Sequence, residues 1–219
     1  MMSDNPPKSD AARKRGKTIV SLVSGGAVGF VGASALMVVI ENGWLGEVGP
    51  SAVFALLVAL VYAIIGLIVA VGTGSPTLGA RVLNVEDADE LREERPSLLT
   101  SAGGMLALAA VLAVLALSGE AGLFPLGWAT ALAGVMLAIG LYLSGQSLRL
   151  ADELMRALTK EAAELSYYLG FVLIGGWAML AHLGYLPAPA MLDLLSLLWA
   201  IGLLAAFWAA GRRGMLKTR

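Results

Sequence analysis

The chain has no cysteine among its 219 residues and a single histidine, His182. Without thiols it forms no disulfide, iron–sulfur cluster, thiolate zinc site or cysteine nucleophile. One imidazole cannot supply both axial ligands of a bis-histidine haem, and it is a poor basis for a metal centre. We therefore predict no metal ion and no cofactor.

Charged residues are also scarce, at 14% of the chain, whereas a soluble domain carries about 25%. The net charge is −1, so the molecule has no basic field that would attract nucleic acid. Hydrophobic residues make up 58%, and the few charges are segregated between long apolar runs. This segregation is typical of a membrane protein rather than of a large soluble core.

Six apolar runs are long enough to cross about 30 Å of hydrocarbon, which takes about 20 helical residues. In lipid the backbone groups must bond within each run, which forces an α-helix. The predicted spans are residues 18–40, 52–71, 98–118, 123–143, 167–186 and 190–210. The first run exceeds the roughly 7–15 residues of a signal-peptide core, so we expect an uncleaved helix. The sequence thus predicts an all-α integral membrane protein with six transmembrane helices in three antiparallel hairpins.

The cations predict the orientation of these spans. All fifteen Lys and Arg residues lie within 1–17, 72–97, 144–166 and 211–219, and none lies in the connectors 41–51, 118–122 and 187–189. Because cationic loops stay in the cytoplasm, we expect basic cytoplasmic tails at 1–17 and 211–219 around a six-helix domain at 18–210. Aromatic residues fall near both predicted interfaces: Trp44, Trp128 and Tyr185 outside, and Tyr167, Tyr168 and Trp208 inside.

The hairpins share short sequence features. The tetrapeptide Ala-Asp-Glu-Leu precedes two of them, at 88–91 and 151–154, and each outer turn combines Gly, an aromatic residue or Leu, and Pro. Hairpins that begin on the same side would be parallel repeats, not the inverted repeats of many transporters. Duplication and chance in an Ala/Leu-rich chain both explain the match.

Residues 147–166 have an amphipathic helical pattern. Their apolar stripe consists of Ala151, Met155, Leu158, Ala162 and Leu165. Asp152 and Arg156 are spaced as an i,i+4 ion pair, and neither Gly nor Pro interrupts the run into the fifth span. We expect the fifth helix to extend into the cytoplasm or to bend along the headgroups. There it would dock a partner helix, or pack on its own protein or on lipid.

The segment 72–97 is acidic, with six carboxylates between Glu86 and Glu94. Such a cluster can hold a divalent cation, but the ligand order and turning glycine of a calcium loop are missing. We predict a solvated charged helix that ends at Pro96.

No Asp, Glu, Lys or Arg lies in the middle of any span. Coupled transporters, voltage sensors and proton relays place ionisable groups at that depth, so their absence counts against these functions. His182 and Asp193 lie near the outer ends of the fifth and sixth spans, where they could meet as an acid/base or metal pair. Polar residues at helix ends are ordinary, however. We predict no catalytic, cofactor-binding or metal-binding residue.

Small residues recur at four-residue spacing on three spans. They are Ser21, Gly25, Gly29 and Ala33; Thr130, Gly134 and Ala138; and Gly202, Ala206 and Ala210. Such faces let helices approach closely. They predict packing within the bundle or against another copy or another membrane protein.

Three functional hypotheses follow. The first is a non-enzymatic scaffold, assembly factor or regulatory partner in the membrane. The second is a small uncoupled transporter, or a lipid- or solute-binding protein, with a path lined by Ser24, Ser34, Tyr62, Ser101, Thr130, Tyr142, Ser144 and Ser196. The third is a membrane enzyme that uses His182 and Asp193. The Ala/Leu/Gly/Arg-rich composition suggests a bacterial inner membrane. The run from Asp152 to Tyr168 resembles acidic amphipathic stretches that precede helical hairpins in small bacterial membrane proteins, and that resemblance implies no activity.

Overall fold

The computed structural model describes residues 8–75, 88–119 and 122–215, with side chains from residue 25 and from residue 93 in the first two ranges. Six α-helices account for most of this part of the chain, and it contains no strand. They are α1 (Lys8–Glu41), α2 (Pro50–Gly74), α3 (Ala88–Ala116), α4 (Leu126–Leu150), α5 (Glu153–His182) and α6 (Met191–Arg212). The predicted all-α class is confirmed. Helices α2–α6 are long and apolar enough to cross a membrane, and α1 contributes the shorter apolar stretch Gly25–Glu41.

Several helices extend beyond their predicted spans on the charged side. Helix α1 begins at Lys8 and α3 begins at Ala88, so parts of the basic and acidic segments are helical. The prediction that the acidic helix ends at Pro96 is wrong, because α3 continues through this proline. Proline removes one helical hydrogen bond, but Pro96 precedes the apolar part of α3, where water can reach the freed carbonyl group. Thr100 Oγ1 also donates to the carbonyl oxygens of Pro96 and Ser97, at 2.9 Å each.

The predicted continuous stripe over 147–166 is broken at Ala151, where the backbone is extended. Asp152 caps α5, since its Oδ1 accepts a 2.7 Å hydrogen bond from the amide of Met155. Arg156 Nη2 reaches back across the break and donates to the carbonyl oxygen of Arg149, at 3.0 Å. The expected Asp152–Arg156 ion pair is thus replaced by two helix caps. A carboxylate favours the amides of a helix N-terminus, and a cation favours the carbonyl groups of a C-terminus.

The helices pack unevenly. Helix α3 lies between α2 and α4 and makes the most extensive contacts in the molecule with both. Helix α6 packs on α2 and α5, while α1 makes small contacts with α2. The main core lies between α2 and α3, around Leu56, Tyr62 and Leu112. The closest packing therefore joins two successive hairpins rather than the two helices of the first hairpin.

Small residues bring α2, α3 and α4 together. A Cβ atom at Gly66 would lie 2.9 Å from Leu106 Cγ and 3.2 Å from the carbonyl oxygen of Ala102. One at Gly140 would lie 3.4 Å from Ala107 Cβ. Gly66 thus allows an approach of α2 to α3 that a side chain would disturb, and Gly140 brings α4 into near van der Waals contact with α3.

Three turns join α1 to α2, α3 to α4 and α5 to α6, and the first and third end a helix in the same way. Gly43 and Gly184 have φ of 70° and 80°, a conformation that suits glycine because it has no Cβ. At the third turn the amide of Tyr185 bonds to the carbonyl oxygen of Leu180, and Gly184 bonds to Ala181. Trp44 and Gly43 make the matching bonds at the end of α1. The middle turn differs: there the amide of Phe124 bonds to the carbonyl oxygen of Leu117. The predicted likeness of the turns thus holds for the first and third.

Candidate functional site

His182 and Asp193 do not form a pair in the structure. Asp193 Oδ2 accepts a 2.9 Å hydrogen bond from the amide of Ala190, which caps the start of α6. His182 is exposed at the end of α5, and among the described residues no ion pair joins it to Asp193. The carboxylate that the enzyme hypothesis would use is therefore engaged in holding a helix end.

Four of the eight neutral polar residues proposed for a transport path are exposed or bonded within their own helix, and Ser101 and Ser144 are half-buried. Ser196 is fully buried, but its hydroxyl group donates to the carbonyl oxygen of Leu192 in its own helix, at 2.8 Å. Thr130 likewise bonds to Leu126 at 2.8 Å. Ser34 and Tyr142 are exposed on the outside of the bundle, and Ser24 falls outside the described side chains. Within the described residues, every buried side-chain nitrogen or oxygen has a hydrogen-bond partner.

Most of the acidic segment, including Glu86, lies outside the described side chains. Glu93, at its end, is exposed. In the ranges that the structure covers, no three His, Cys, Asp or Glu side chains come together as metal ligands would.

The predicted small-residue faces are mostly turned away from the bundle. A Cβ atom at Gly25, Gly29 or Gly134 would meet nothing within 4 Å, whereas one at Gly202 would lie 3.9 Å from Ser166 Oγ and 4.0 Å from Tyr62 Oη. Ser21 lies outside the described side chains. Among the described residues, the α1 face at Gly25 and Gly29 and the α4 face at Gly134 therefore meet no neighbour, while the α6 face takes part in packing at Gly202.

Helix α5 packs mainly on one neighbour. It contacts α6, and Gly170 is its one buried residue. Tyr167 and Tyr168 lie near the middle of α5, with ring centroids 5.5 Å apart in an edge-to-face arrangement, and are followed by exposed Phe171 and Val172. This outward side, which we call the α5 face, is available to lipid or to another protein.

Both ends of the α5–α6 hairpin are fastened. Near the turn Trp177 Nε1 of α5 donates a 3.0 Å hydrogen bond to the carbonyl oxygen of Pro187 in the connector to α6. At the other end Glu161 of α5 pairs with Arg213 at 2.9 Å and with Arg212 at 3.4 Å. The ion pairs join α5 to the end of α6, and the Trp177 bond joins α5 to the connector between the two helices.

An open apolar groove of about 340 Å³ runs between α1, α2 and α3. It is lined by Leu36, Leu56, Ala59, Leu60, Ala63, Leu106, Ala109, Ala110 and Ala113. The sequence does not predict this groove, because its Ala and Leu residues match the composition of the spans around it. Its one sequence feature is the four-residue spacing of alanines on two helices, Ala59 with Ala63 and Ala109 with Ala113.

Comparison of the chain with protein-family models, with curated proteins and with solved structures found no match.

Proposed function

We infer that this chain is a multi-pass membrane protein that works without catalysis, as a scaffold, assembly factor or regulatory partner of another membrane protein or of a second copy of itself. The observation that carries this inference is the α5 face. A 30-residue helix that packs mainly on α6 leaves a long row of apolar and aromatic side chains pointing outward. Aromatic residues are enriched at protein interfaces, where one rigid ring buries a large area.

The proposed setting is a bacterial inner membrane with both termini in the cytoplasm. The described cations support this orientation: Arg95, Arg149, Arg156, Lys160, Arg212 and Arg213 all lie near the helix ends that face away from the outer turns. The six aromatic residues assigned to the interfaces are 64–76% exposed, as side chains at a lipid boundary would be.

Purification of the full-length protein in native nanodiscs tests this function. We expect a partner in fixed stoichiometry, or a homo-oligomer, that is lost when Phe171 and Val172 are both changed to Ala. The matched control is Leu204→Ala on α6, which removes a similarly exposed apolar side chain away from the α5 face. A lone monomer from the unaltered chain contradicts the proposal, and so does equal retention of the partner by the α5 variant.

The groove between α1, α2 and α3 favours a second candidate, a lipid-binding protein. Its lining is entirely aliphatic, so it suits an acyl chain and offers no hydrogen bond to a polar solute. Native mass spectrometry distinguishes this candidate from the first. We expect retained phospholipid to be displaced by Ala110→Phe, which fills the groove, and to be unaffected by Ala138→Phe on the exposed side of α4. Equal lipid retention by the two variants contradicts lipid binding in the groove.

A further inference from the structure

We propose that the α5–α6 hairpin pivots as a rigid body against the α2–α4 layer, about the break at Ala151 and Asp152. The first support is the nature of the break. Ala151 is extended between two long helices, and the caps by Asp152 and Arg156 satisfy the helix ends on both sides. The Asp152 cap lies at the start of α5 and survives a change of angle at the connector, whereas the Arg156 bond spans the connector and restrains that angle.

The second support is the stiffness of the hairpin itself. The Trp177–Pro187 hydrogen bond fastens the connector to α5 at one end of the hairpin, and the Glu161 ion pairs join α5 to the end of α6 at the other. The packing between these two helices is also more extensive than that between α6 and α2. Because α5 and α6 pack more extensively on each other than on α2 and α3, we expect the two helices to move together rather than to separate.

The third support is the way in which the hairpin is attached. Helix α5 makes at most marginal contact with α1–α4, so α6 carries the attachment, mainly on α2 with a small contact to α3. Tyr62 Oη crosses this interface and donates a 2.9 Å hydrogen bond to the carbonyl oxygen of Trp199. The indole ring of Trp199 also packs against the α3–α4 cluster that includes Val111 and Ala133. These contacts of Tyr62 and Trp199, which we call the latch, hold the hairpin against α2–α4.

The pivot has a large lever arm. Helix α5 has 30 residues, which correspond to a length of about 45 Å. A rotation of about 10° at its first turn would therefore move its outer end by roughly 8 Å relative to α4. Such a motion would open or close the lateral space between α4 and α5, two helices that are joined in sequence but hardly touch.

The absence of native cysteine makes the motion measurable by spin labelling of the full-length protein in lipid nanodiscs. One labelled pair, Leu126→Cys with Met179→Cys, reports on α4 against α5 far from the break. The control pair, Val172→Cys with Leu204→Cys, reports on α5 against α6 within the hairpin. All four side chains are exposed, so labels there displace no packed residue.

Pulsed electron–electron double resonance should give a broader distance distribution for the first pair than for the control pair. Tyr62→Phe, which removes the latch bond and keeps the ring, should add a second distance component to the first pair alone. Tyr142→Phe, on the exposed side of α4, is the matched control and should add none. Arg156→Gln, at an exposed site, provides a second variant and should broaden the first pair as well.

Two results would overturn the pivot. One is a distance distribution for the first pair that is as narrow as that of the control pair and is unchanged by Tyr62→Phe and by Arg156→Gln. The other is equal broadening of both pairs, because the hairpin would then not be rigid. The measurement needs no partner protein or bound lipid, so its outcome is independent of the proposed function.

Discussion

Tyr62 on α2 and Trp199 on α6 are joined by both a hydrogen bond and a ring contact. The phenol oxygen lies 2.9 Å from the carbonyl oxygen of Trp199, and the ring centroids are 6.2 Å apart with the planes tilted by 53°. A phenol group inside an apolar bundle needs an acceptor, because lipid offers none. The backbone carbonyl oxygen of Trp199 is this acceptor, because it has a free lone pair. The hydrogen bond of one side chain thereby fixes the register between α2 and α6.

Tyr62→Phe should destabilise the protein by about 0.5–1.5 kcal/mol, the usual net contribution of one hydrogen bond, with membrane proteins at the lower end. Unfolding in a titration with denaturing detergent measures the change. Tyr142→Phe, whose ring is exposed on α4, should leave the unfolding midpoint unchanged. Equal midpoints for the two variants would show that the Tyr62 hydrogen bond contributes nothing.

Gly66→Ala and Gly134→Ala should change stability in opposite directions. A methyl group at Gly66 would lie 2.9 Å from Leu106 Cγ and 3.2 Å from a backbone oxygen, and such overpacking costs about 1–3 kcal/mol. At Gly134 it would meet nothing within 4 Å and would gain up to about 1 kcal/mol of helix propensity. The same unfolding titration compares them. A Gly66→Ala protein as stable as the parent would mean that α2 and α3 are not this close.

Glu161→Gln should loosen the end of the α5–α6 hairpin that lies away from its turn. Its carboxylate contacts Arg212 and Arg213, but the pairs are partly exposed, so the loss should be about 0.2–1 kcal/mol. High salt should abolish the difference from the parent protein, because it screens exposed pairs. Amide hydrogen exchange near residues 158–165 measures the effect, with Glu164→Gln as the unpaired control. An effect of equal size for the control would dismiss the ion pairs as the cause.

Single cysteines test the proposed orientation directly. Ala188→Cys lies in the turn between α5 and α6, which the proposal places outside, and Thr159→Cys lies in the part of α5 that it places in the cytoplasm; both positions are exposed. A membrane-impermeant maleimide added to whole cells should label the first and not the second, and inverted vesicles should reverse the pattern. Labelling of Thr159→Cys in intact cells would refute the assignment of the termini to the cytoplasm.

The sequence predicts the helices well because one solvent constraint governs them. Lipid requires long uncharged helices, so each predicted span overlaps one helix of the structure. The ends were less predictable. Pro96 was expected to end a helix, but outside the apolar core its lost hydrogen bond costs little, and α3 continues. Asp152 was expected to pair with Arg156, but the amides of a new helix were nearer to its carboxylate.

Helix faces were harder to predict than helices. The four-residue spacing of Thr130, Gly134 and Ala138 suggested a packing seam on α4, yet the buried residues of that helix are Ala129, Ala133 and Gly140. Both stripes consist of small residues, so composition cannot distinguish them. The deciding factor is which side of α4 matches the alanines of α3, and that depends on tertiary packing that no local pattern encodes.

The fastenings at both ends of the α5–α6 hairpin also have a consequence for biogenesis. Because α5 and α6 pack more extensively on each other than α6 packs on α2, we expect the hairpin to pair correctly without its upstream neighbours. We therefore expect that two separately translated pieces, residues 1–150 and 151–219, reassemble in one membrane. Co-purification of the tagged piece 151–219 with the untagged piece 1–150 would demonstrate this reassembly. Rapid proteolysis of the piece 151–219 in the presence of the piece 1–150 would refute it.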